Sequence, residues 1–315
     1  MSEVFEGGIF GGTLYADFYL GGKWTGKQKA GNATKFELKA NADRKVLPSN
    51  QRGTYGMALR VATLNKEAEL NIDINDPARD VFTVGFLGEA ENIAVTAGSV
   101  TDEVVNAPMP GNALALAYRD ISAVTVTRNN GDDAADWAAT TAIALGAYRV
   151  PTVANEHFYK CTAAGTTGGV APTWPTDGST VVDGTVTWQD MGTIVAVLNT
   201  DYTIGVDGAR LGWIFSTDDS RLEFEEPLSH DYTYAARSGY RVKGATQPVR
   251  KVRWFLDGES LEDGRPVYIE VYETQAMPTN AIDFLSDNWQ SIGISATPIK
   301  PADKDCPWTV EYKDV

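Results

Sequence analysis

The chain has 315 residues, a formal net charge of −15 at pH 7 and a sequence pI near 4.6. This length allows one large domain with a sizeable core and a second, smaller domain. The strong negative charge argues against a protein that grips nucleic acid through its phosphates, because such proteins carry a basic stripe. The two cysteines, Cys161 and Cys306, lie far apart in sequence, which argues against a zinc site or a disulfide framework. Reduced thiols are expected, and a single bridge between the two stays open.

Neither end of the chain predicts a targeting or membrane segment. Residues 1–6 are acidic and lead into glycines, so no signal peptide is expected. No apolar run approaches the length of a membrane span. We therefore expect a protein that is soluble when made and has no membrane partner. Residues 1–12 and 300–315 are expected to be flexible arms.

Most of the chain predicts β-structure. The candidate strands are rich in Val, Tyr, Phe, Thr and Trp, and Asp-Gly pairs at 207–208, 257–258 and 263–264 predict turns between them. The predicted strands are residues 14–24, 34–40, 54–64, 68–74, 93–96, 114–118, 123–127, 202–204, 211–215, 231–235, 249–257, 267–275 and 289–297. The fold class predicted from this pattern is mainly β.

The most regular of these segments, residues 66–74, alternates strictly between apolar and polar side chains. Successive side chains of a strand project to opposite sides, so the pattern predicts a half-buried strand with a core face and an acidic face. The core face comprises Ala68, Leu70, Ile72 and Ile74, and the acidic face comprises Glu67, Glu69, Asn71 and Asp73.

One or two short helices are expected beside the strands. Asp76 and Pro77 suit the N-cap and the first position of a helix, and Gly88 suits its C-terminal stop. These signals predict a helix over residues 77–87. A second short helix is predicted to begin at Pro278.

Residues 132–192 differ in amino-acid composition from the rest of the chain. They are alanine-rich at first and then dense in Thr, Gly and Pro, and they interrupt a β region that otherwise reads continuously. We interpret them as a small β-rich module carried on a loop, with its aromatic side chains forming a core of its own. The predicted domains are therefore 1–131 and 193–315, two parts of one domain, with the inserted module 132–192 between them.

The order of these parts resembles that of the tail tube (major tail) proteins of long-tailed bacteriophages. The resemblance rests on the strand 67–74 running into the helix 77–87, and on residues 113–121 leading into a valine-threonine strand. It also rests on residues 200–204 before a turn and on the closing hairpin near 249–275, and it covers most of residues 10–130 and 195–300. The insertion is similar to the small carbohydrate-binding-like modules of phage virion proteins, through residues 155–168, 172–175 and 182–188.

The resemblance implies a tail-tube-type β-sandwich or barrel protomer that forms hexameric rings. The rings would stack into a tube in the virion, be assembled in the host cytoplasm, and conduct double-stranded DNA during ejection. The implied partners are further copies of the chain, the tape measure protein and DNA in the lumen without sequence-specific binding, and the tail terminator and tail tip proteins.

Simple geometry agrees with such a bore. Six protomers with about four strands each make a barrel of roughly 24 strands, whose backbone diameter is on the order of 48 Å. Carboxylates do not hold a duplex, because it is Lys and Arg that gain affinity by releasing counterions from phosphates. Glu67, Glu69, Asn71 and Asp73 are therefore the lumen-facing candidates. The bore has no room for the insertion, which is expected on the outer surface and to be removable.

The sequence leaves two other functional classes open. A carbohydrate-binding or adhesion protein of the virion or cell surface would use Tyr159, Trp174 and Trp188 as a sugar-stacking platform. An enzyme has poor support, because His157 and His230 are the only histidines and neither belongs to a recognisable motif. We expect no catalytic residue, no metal and no cofactor.

Overall fold

The computed structural model describes residues 9–248, 250–287, 289 and 291–313. The fold is mainly β, with three short helices among the described residues, which confirms the predicted fold class. The chain forms two compact units, which we call unit 1 (Met1–Ile93 and Gly239–Val315) and unit 2 (Ala94–Ser238).

The elements follow one another in three stretches. The first comprises β1 (Phe10–Leu20), β2 (Lys23–Trp24), β3 (Gln28–Lys29), β4 (Gly31–Pro48), β5 (Ala58–Pro77), α1 (Arg79–Val84) and β6 (Glu89–Val95). The second comprises β7 (Gly98–Asn106), β8 (Ala113–Ala115), β9 (Ile121–Arg128), α2 (Asn129–Asp132), β10 (Ala135–Asp136), β11 (Ala142–Ile143), β12 (Tyr148–Val150), β13 (His157–Ala163), β14 (Gly165–Thr166), β15 (Thr180–Asp183), β16 (Val186–Thr193), β17 (Tyr202–Thr203), α3 (Gly205–Leu211), β18 (Trp213–Ser216) and β19 (Pro227–Tyr234). The third comprises β20 (Arg237–Lys243), β21 (Arg250–Ser260), β22 (Pro266–Pro278), β23 (Ile292–Pro298) and β24 (Trp308–Tyr312).

Unit 1 is built on one nine-stranded sheet. Its strand order is β2-β1-β21-β22-β23-β5-β4, with β3 also paired to β1 and β24 to β22. Apolar side chains from one face of these strands form a single core, in which Trp254 and Ile72 are fully buried. Helix α1 covers this core with Val81 and Val84. Strands β6 and β20 pair with each other as a separate two-stranded ribbon.

The β4–β5 hairpin is the longest feature of unit 1. Residues 58–64 of the predicted strand 54–64 and the whole of 68–74 belong to one continuous strand, β5, whereas 54–57 lie in a turn. Strand β5 pairs with β4 from Gly31 to Pro48. The alternation predicted for residues 67–74 is confirmed, since Leu70, Ile72 and Ile74 are fully buried while their neighbours on the strand are not. At the base of the hairpin Gly31 has φ of 126°, and a Cβ there would lie 2.2 Å from the carbonyl oxygen of Asp76. The base therefore needs glycine.

Unit 2 contains several small sheets around two cores. Strands β7-β19-β9 and β17-β18-β8 form two three-stranded sheets beside a core that includes Leu228, Tyr232 and Ile214. A five-stranded sheet, β10-β12-β13-β16-β15, and the pair β11-β14 lie within residues 135–193 and enclose the second core. The predicted insertion thus has its own aromatic core, as expected. The unit boundaries fall at 93/94 and 238/239, and a separate module with boundaries at 131/132 and 192/193 stays a prediction.

Several of the helix and turn predictions differ from the structure. Helix α1 spans six residues rather than 77–87, because β5 continues through Pro77 and Ala78 takes the N-cap position. No helix begins at Pro278, which is the last residue of β22 and lies opposite Ile294 of β23. The pair at 207–208, predicted as a turn, lies inside α3, which instead ends at Gly212 in the left-handed conformation (φ 73°).

The chain ends and some strands also differ from prediction. Residues 1–8 of the predicted N-terminal arm lie outside the described residues, and 10–12 belong to β1. Five residues of the predicted C-terminal arm, Trp308–Tyr312, form strand β24, which is paired with β22. The pair at 257–258 lies inside β21 rather than in a turn. Among the described residues, no helix is long and apolar enough to cross a membrane.

Candidate functional site

The outer part of the β4–β5 hairpin, residues 41–66, projects beyond the rest of its sheet, and we call it the arm. Strand β23 covers the edge of β5 only at residues 70–74, so the arm is a two-stranded ribbon. Eight or nine residues per strand give it a length of about 30 Å. Among its residues Ser49 alone is buried. The arm therefore has no core of its own.

The tip of the arm is held in one shape by hydrogen bonds around Ser49. The Ser49 amide donates to the carbonyl oxygen of Met57 at 2.7 Å, and the Gly56 amide donates to that of Ser49 at 2.8 Å. The Ser49 hydroxyl lies 2.8 Å from that of Thr54. Gly53 and Gly56 both have positive φ, which closes the turn without strain. The tip is an ordered loop even though it is exposed.

The surface of the arm combines apolar and basic side chains. Val46 lies directly opposite Val61, and with Leu59 they make an apolar patch on one face. Tyr55 is 80 % exposed and Met57 is 61 % exposed at the tip. Asp43 is the one acidic residue of the arm. Its basic residues are Arg44, Lys45, Arg52, Arg60 and Lys66.

The predicted acidic face of β5 is a mixed face in the folded sheet. Glu67 and Glu69 are exposed, whereas Asn71 and Asp73 are half-buried. Strand β4 places Lys39 opposite Glu69 and Lys35 opposite Asp73. Within residues 35–39 and 67–73, the four carboxylates, including Glu37, outnumber the two lysines. The face remains acidic, but less so than β5 alone indicates.

One lysine on this face is paired with a carboxylate of its own strand. Lys35 Nζ lies 2.7 Å from Glu37 Oε2. This hydrogen-bonded pair raises the pKa of Lys35 and lowers the pKa of Glu37. The sequence carried a signal for this, since Lys35, Glu37 and Lys39 alternate with apolar residues. The sequence did not reveal the register of β4 against β5, which places these residues opposite those of β5.

A second exposed apolar surface lies in the loop between β22 and β23. Phe284 stacks on Phe86 with ring centroids 6.0 Å apart and an interplanar angle of 11°. Leu285 and Trp289 are almost fully exposed. Single exposed apolar residues are ordinary, but an exposed cluster of this kind is typical of a protein contact.

The predicted sugar-stacking residues do not form an exposed platform. Tyr159 and Trp188 are fully buried in the second core of unit 2, so neither can present a ring face to a sugar. Trp174 is half-buried and packs on Tyr159, with ring centroids 4.4 Å apart. The physical reason is the small size of this region, which needs its largest aromatic side chains for its core.

A buried carboxylate orients the indoles of this core. Asp183 Oδ2 accepts hydrogen bonds from Trp137 Nε1 at 2.7 Å and from Trp188 Nε1 at 3.2 Å. Its other oxygen accepts from the Gly168 amide at 2.7 Å. Both tryptophans are thereby held with their polar edges inward.

A cleft of about 790 Å³ opens in unit 2 beside this core. Residues 150–157 form one wall and residues 193–197 form the other, with apolar side chains such as Val150 and Val195. His157 lies in the cleft, and its Nδ1 is 2.8 Å from Asp190 Oδ1. The charged residues that line the cleft, apart from this histidine, are all acidic: Asp132, Asp136 and Glu156.

A buried ion pair lies where the predicted insertion joins the rest of unit 2. Arg128 donates from Nε and Nη2 to the two carboxylate oxygens of Glu226, both at 2.9 Å, and both side chains are 1 % exposed. The guanidinium also packs over the Phe158 ring at 4.6 Å and donates to the carbonyl oxygen of Met191. Two partners of Arg128 thus come from residues 132–192. Removal of that segment would leave the ion pair partly uncovered.

The described residues do not assemble a recognisable catalytic or metal site. His230 is buried, with Nδ1 2.9 Å from the carbonyl oxygen of Glu103 and no partner for Nε2 among the described residues. Burial lowers the pKa of His230. Within the described ranges, no group of three or more His, Cys, Asp or Glu is placed to hold a metal ion. Cys161 and Cys306 are both free thiols.

The fold and surfaces define a mainly β protein whose most prominent features are exposed apolar surfaces. The family comparison matches residues 8–150 and 152–305 to a family described as "Protein of unknown function UCP028589". The chain belongs to this family. No curated protein matches the chain.

Proposed function

We propose that the chain is a structural protein that assembles with copies of itself into stacked hexameric rings of a phage tail tube. The observation that carries this proposal is the arm, about 30 Å of hairpin that exposes the apolar patch of Val46, Leu59 and Val61. An exposed apolar hairpin is a liability in a monomer, and it is used where another chain covers it. Its fixed tip and paired strands suit a permanent contact.

Open sheet edges support the same assembly. Strand β4 is the last strand of the nine-stranded sheet, and its outer edge is unpaired in the described chain. At the other end, the first residues of β1 pair only with β21 in the part of the chain that the structure describes. A strand from another copy can extend either edge through backbone hydrogen bonds. Contacts that use different surfaces on the two partners generate closed rings or open tubes.

The polar face of β5 is the proposed lining of the bore. Glu67, Glu69 and Asp73, with Asn71, would face the lumen, and the lysines opposite them on β4 are matched by carboxylates. Contact between DNA and such a face would release few counterions and so add little binding affinity. A duplex would therefore pass without being held. The proposed partners are DNA and the tape measure protein in the lumen, and the tail terminator and tip proteins at the ends. The proposed location is the virion.

Negative-stain microscopy of the purified protein tests this proposal. Rings or tubes are expected for the wild type. Val46→Ser/Val61→Ser, which removes apolar contact area from the arm, should abolish them while leaving the circular dichroism spectrum unchanged. The matched control is Val182→Ser/Val206→Ser, at two exposed valines of unit 2. A wild-type protein that stays monomeric at high concentration contradicts the proposal.

A further inference from the structure

The arm and unit 2 have opposite charge. The arm carries five basic residues against one acidic residue in a protein of net charge −15. Unit 2 carries 18 Asp and Glu side chains against 7 Lys and Arg. Charge complementarity of this kind favours one orientation of two surfaces and suppresses others.

The cleft in unit 2 combines apolar walls with acidic side chains. Apolar side chains of residues 150–157 and 193–197 form its walls, and Asp132, Asp136 and Glu156 supply its charge. Among the described residues, no lysine or arginine lines it. Clefts of 300–1,000 Å³ commonly enclose a ligand of a few side chains' size, and this one has about 790 Å³.

The tip of the arm has the matching chemistry. Tyr55 and Met57 are largely exposed, and Arg52 lies beside them in the same loop. Aromatic, Met and Arg side chains are the types enriched at the centres of protein interfaces. The hydrogen bonds around Ser49 hold the loop in shape before any contact is made.

We infer that the cleft in unit 2 receives the tip of the arm of a second copy of the chain. Tyr55 and Met57 pack between the apolar walls, and the basic residues of the arm face the carboxylates of the cleft. This inference rests on the proposed self-assembly and names the surface that receives the arm. Nucleic acid does not fit the same observations, since phosphates would meet three carboxylates and leave the apolar residues uncovered.

Charge reversal on each side tests the contact by sedimentation velocity. Arg52→Glu/Arg60→Glu changes the arm, and Asp132→Lys/Asp136→Lys changes the cleft. Each should weaken self-association about 100-fold, because like charges at an interface are strongly unfavourable. Combining all four changes in one chain should restore association. The matched control, Asp218→Lys/Asp219→Lys, makes the same charge change at exposed residues of unit 2 outside the cleft.

Mixing the two reversed proteins gives the sharpest result. The normal arm of the cleft-reversed copy is complementary to the normal cleft of the arm-reversed copy, and the reversed arm is complementary to the reversed cleft. The mixture should therefore recover the association that each reversed protein alone has lost, with the two proteins in equal amounts. Association that survives either reversal, or falls equally in the control, overturns the inference and leaves the tube proposal standing.

Disulfide trapping separates the two proposals. Tyr55→Cys and Thr152→Cys are prepared as separate proteins, mixed and oxidised, with each protein alone as its control for the native thiols. A disulfide between the two introduced thiols, identified by mass spectrometry, supports the inference even if microscopy shows no rings, in which case only the tube proposal falls. Absence of this bond from a mixture that still forms rings overturns the inference.

Discussion

The two units differ in how many charged side chains they bury. Unit 1 is stabilised by one apolar core beneath a long sheet, with residues such as Ile72 and Trp254 fully buried, and it buries the charged side chains of Asp17 and Arg250. Unit 2 has two smaller apolar cores and, among the described residues, buries six Asp, Glu, Arg or His side chains. These are Arg128, Asp183, Asp190, Asp201, Glu226 and His230. Small cores remove less apolar area from water, so unit 2 depends more on satisfied polar groups, and its stability should respond more to charge and pH.

The largest effect is expected when residues 132–192 are removed and Gly131 is joined to Thr193 by a short flexible linker. The deletion takes away Phe158 and the Met191 carbonyl, two of the groups that surround Arg128. The remaining chain should unfold at a lower urea concentration than the intact protein. Adding Arg128→Met/Glu226→Leu to the shortened chain should recover part of the loss. If the deletion alone leaves the urea midpoint unchanged, the insertion is an independent module.

Within the intact chain, Arg128→Ala should destabilise unit 2 by about 3–5 kcal/mol, because Glu226 is left as an unpaired buried carboxylate. Arg128→Met/Glu226→Leu should cost much less, since it removes both charges and keeps the volume filled. Urea titrations followed by circular dichroism measure both. Equal losses in the two variants would show that packing, rather than the unpaired charge, dominates.

In unit 1, Ile72→Ala should cost about 2–5 kcal/mol by leaving a cavity in the core. Val61→Ala, on the same strand but in the arm, should change the free energy of unfolding by less than about 0.5 kcal/mol. The loss from Ile72→Ala should be the same at neutral and mildly acidic pH, as expected for an apolar site. A large loss from Val61→Ala in the monomer would mean that the arm packs within its own chain.

A smaller, pH-dependent effect should come from His230 in unit 2. Burial lowers its pKa, so the unfolded chain binds the proton more readily than the folded one. Its contribution to stability is full above the unfolded pKa of about 6.5 and is lost as the pH falls through that value toward the folded pKa. The difference between wild type and His230→Leu, measured by urea titration from about pH 7.5 to about pH 5, should shrink on the acid side. His157→Gln is the control at a partly exposed histidine.

The smallest effect on folding is expected on the polar face of unit 1. Glu67→Lys/Glu69→Lys/Asp73→Lys keeps the alternation of β5, so the monomer should fold with little change in stability. In assembled tubes the change should cause salt-dependent retention of double-stranded DNA, because lysines bind phosphates by counterion release. Asp207→Lys/Asp218→Lys/Asp219→Lys, with the same charge change on exposed residues of unit 2, should not. Tubes that pass DNA equally well at low salt would show that this face does not line the bore.

The sequence predicted features that depend on a single segment. The alternation at residues 67–74 sets the buried face of β5 whatever its neighbours are, and that prediction is confirmed. The aromatic residues of 132–192 likewise form a local core. The mixed charge of the polar face could not be predicted from one segment, because it depends on the register that places Lys35 and Lys39 of β4 opposite β5.

The failures came from local signals that tertiary pairing overrode. Pro278 is a good first residue of a helix in isolation, but here it ends a strand held by β23. The pair at 257–258 suits a tight turn, but β21 carries it between β1 and β22. Tyr159 and Trp188 are of the residue types that stack on sugars, but the packing of the folded chain buries them. The sequence predicted only one strand of the arm, 54–64, and it could not predict that the arm is exposed, because this depends on where β23 ends.

The ordered tip of the arm has a consequence for the speed of the proposed assembly. Because Ser49 already fixes the loop, docking would freeze few additional backbone torsions, and little conformational entropy would be lost on binding. The rate would then depend on how often two copies meet in the right orientation. Long-range attraction between a positive arm and a negative unit steers such encounters and is screened by salt. Growth of a tube should therefore slow as ionic strength rises, even where the finished tube stays intact.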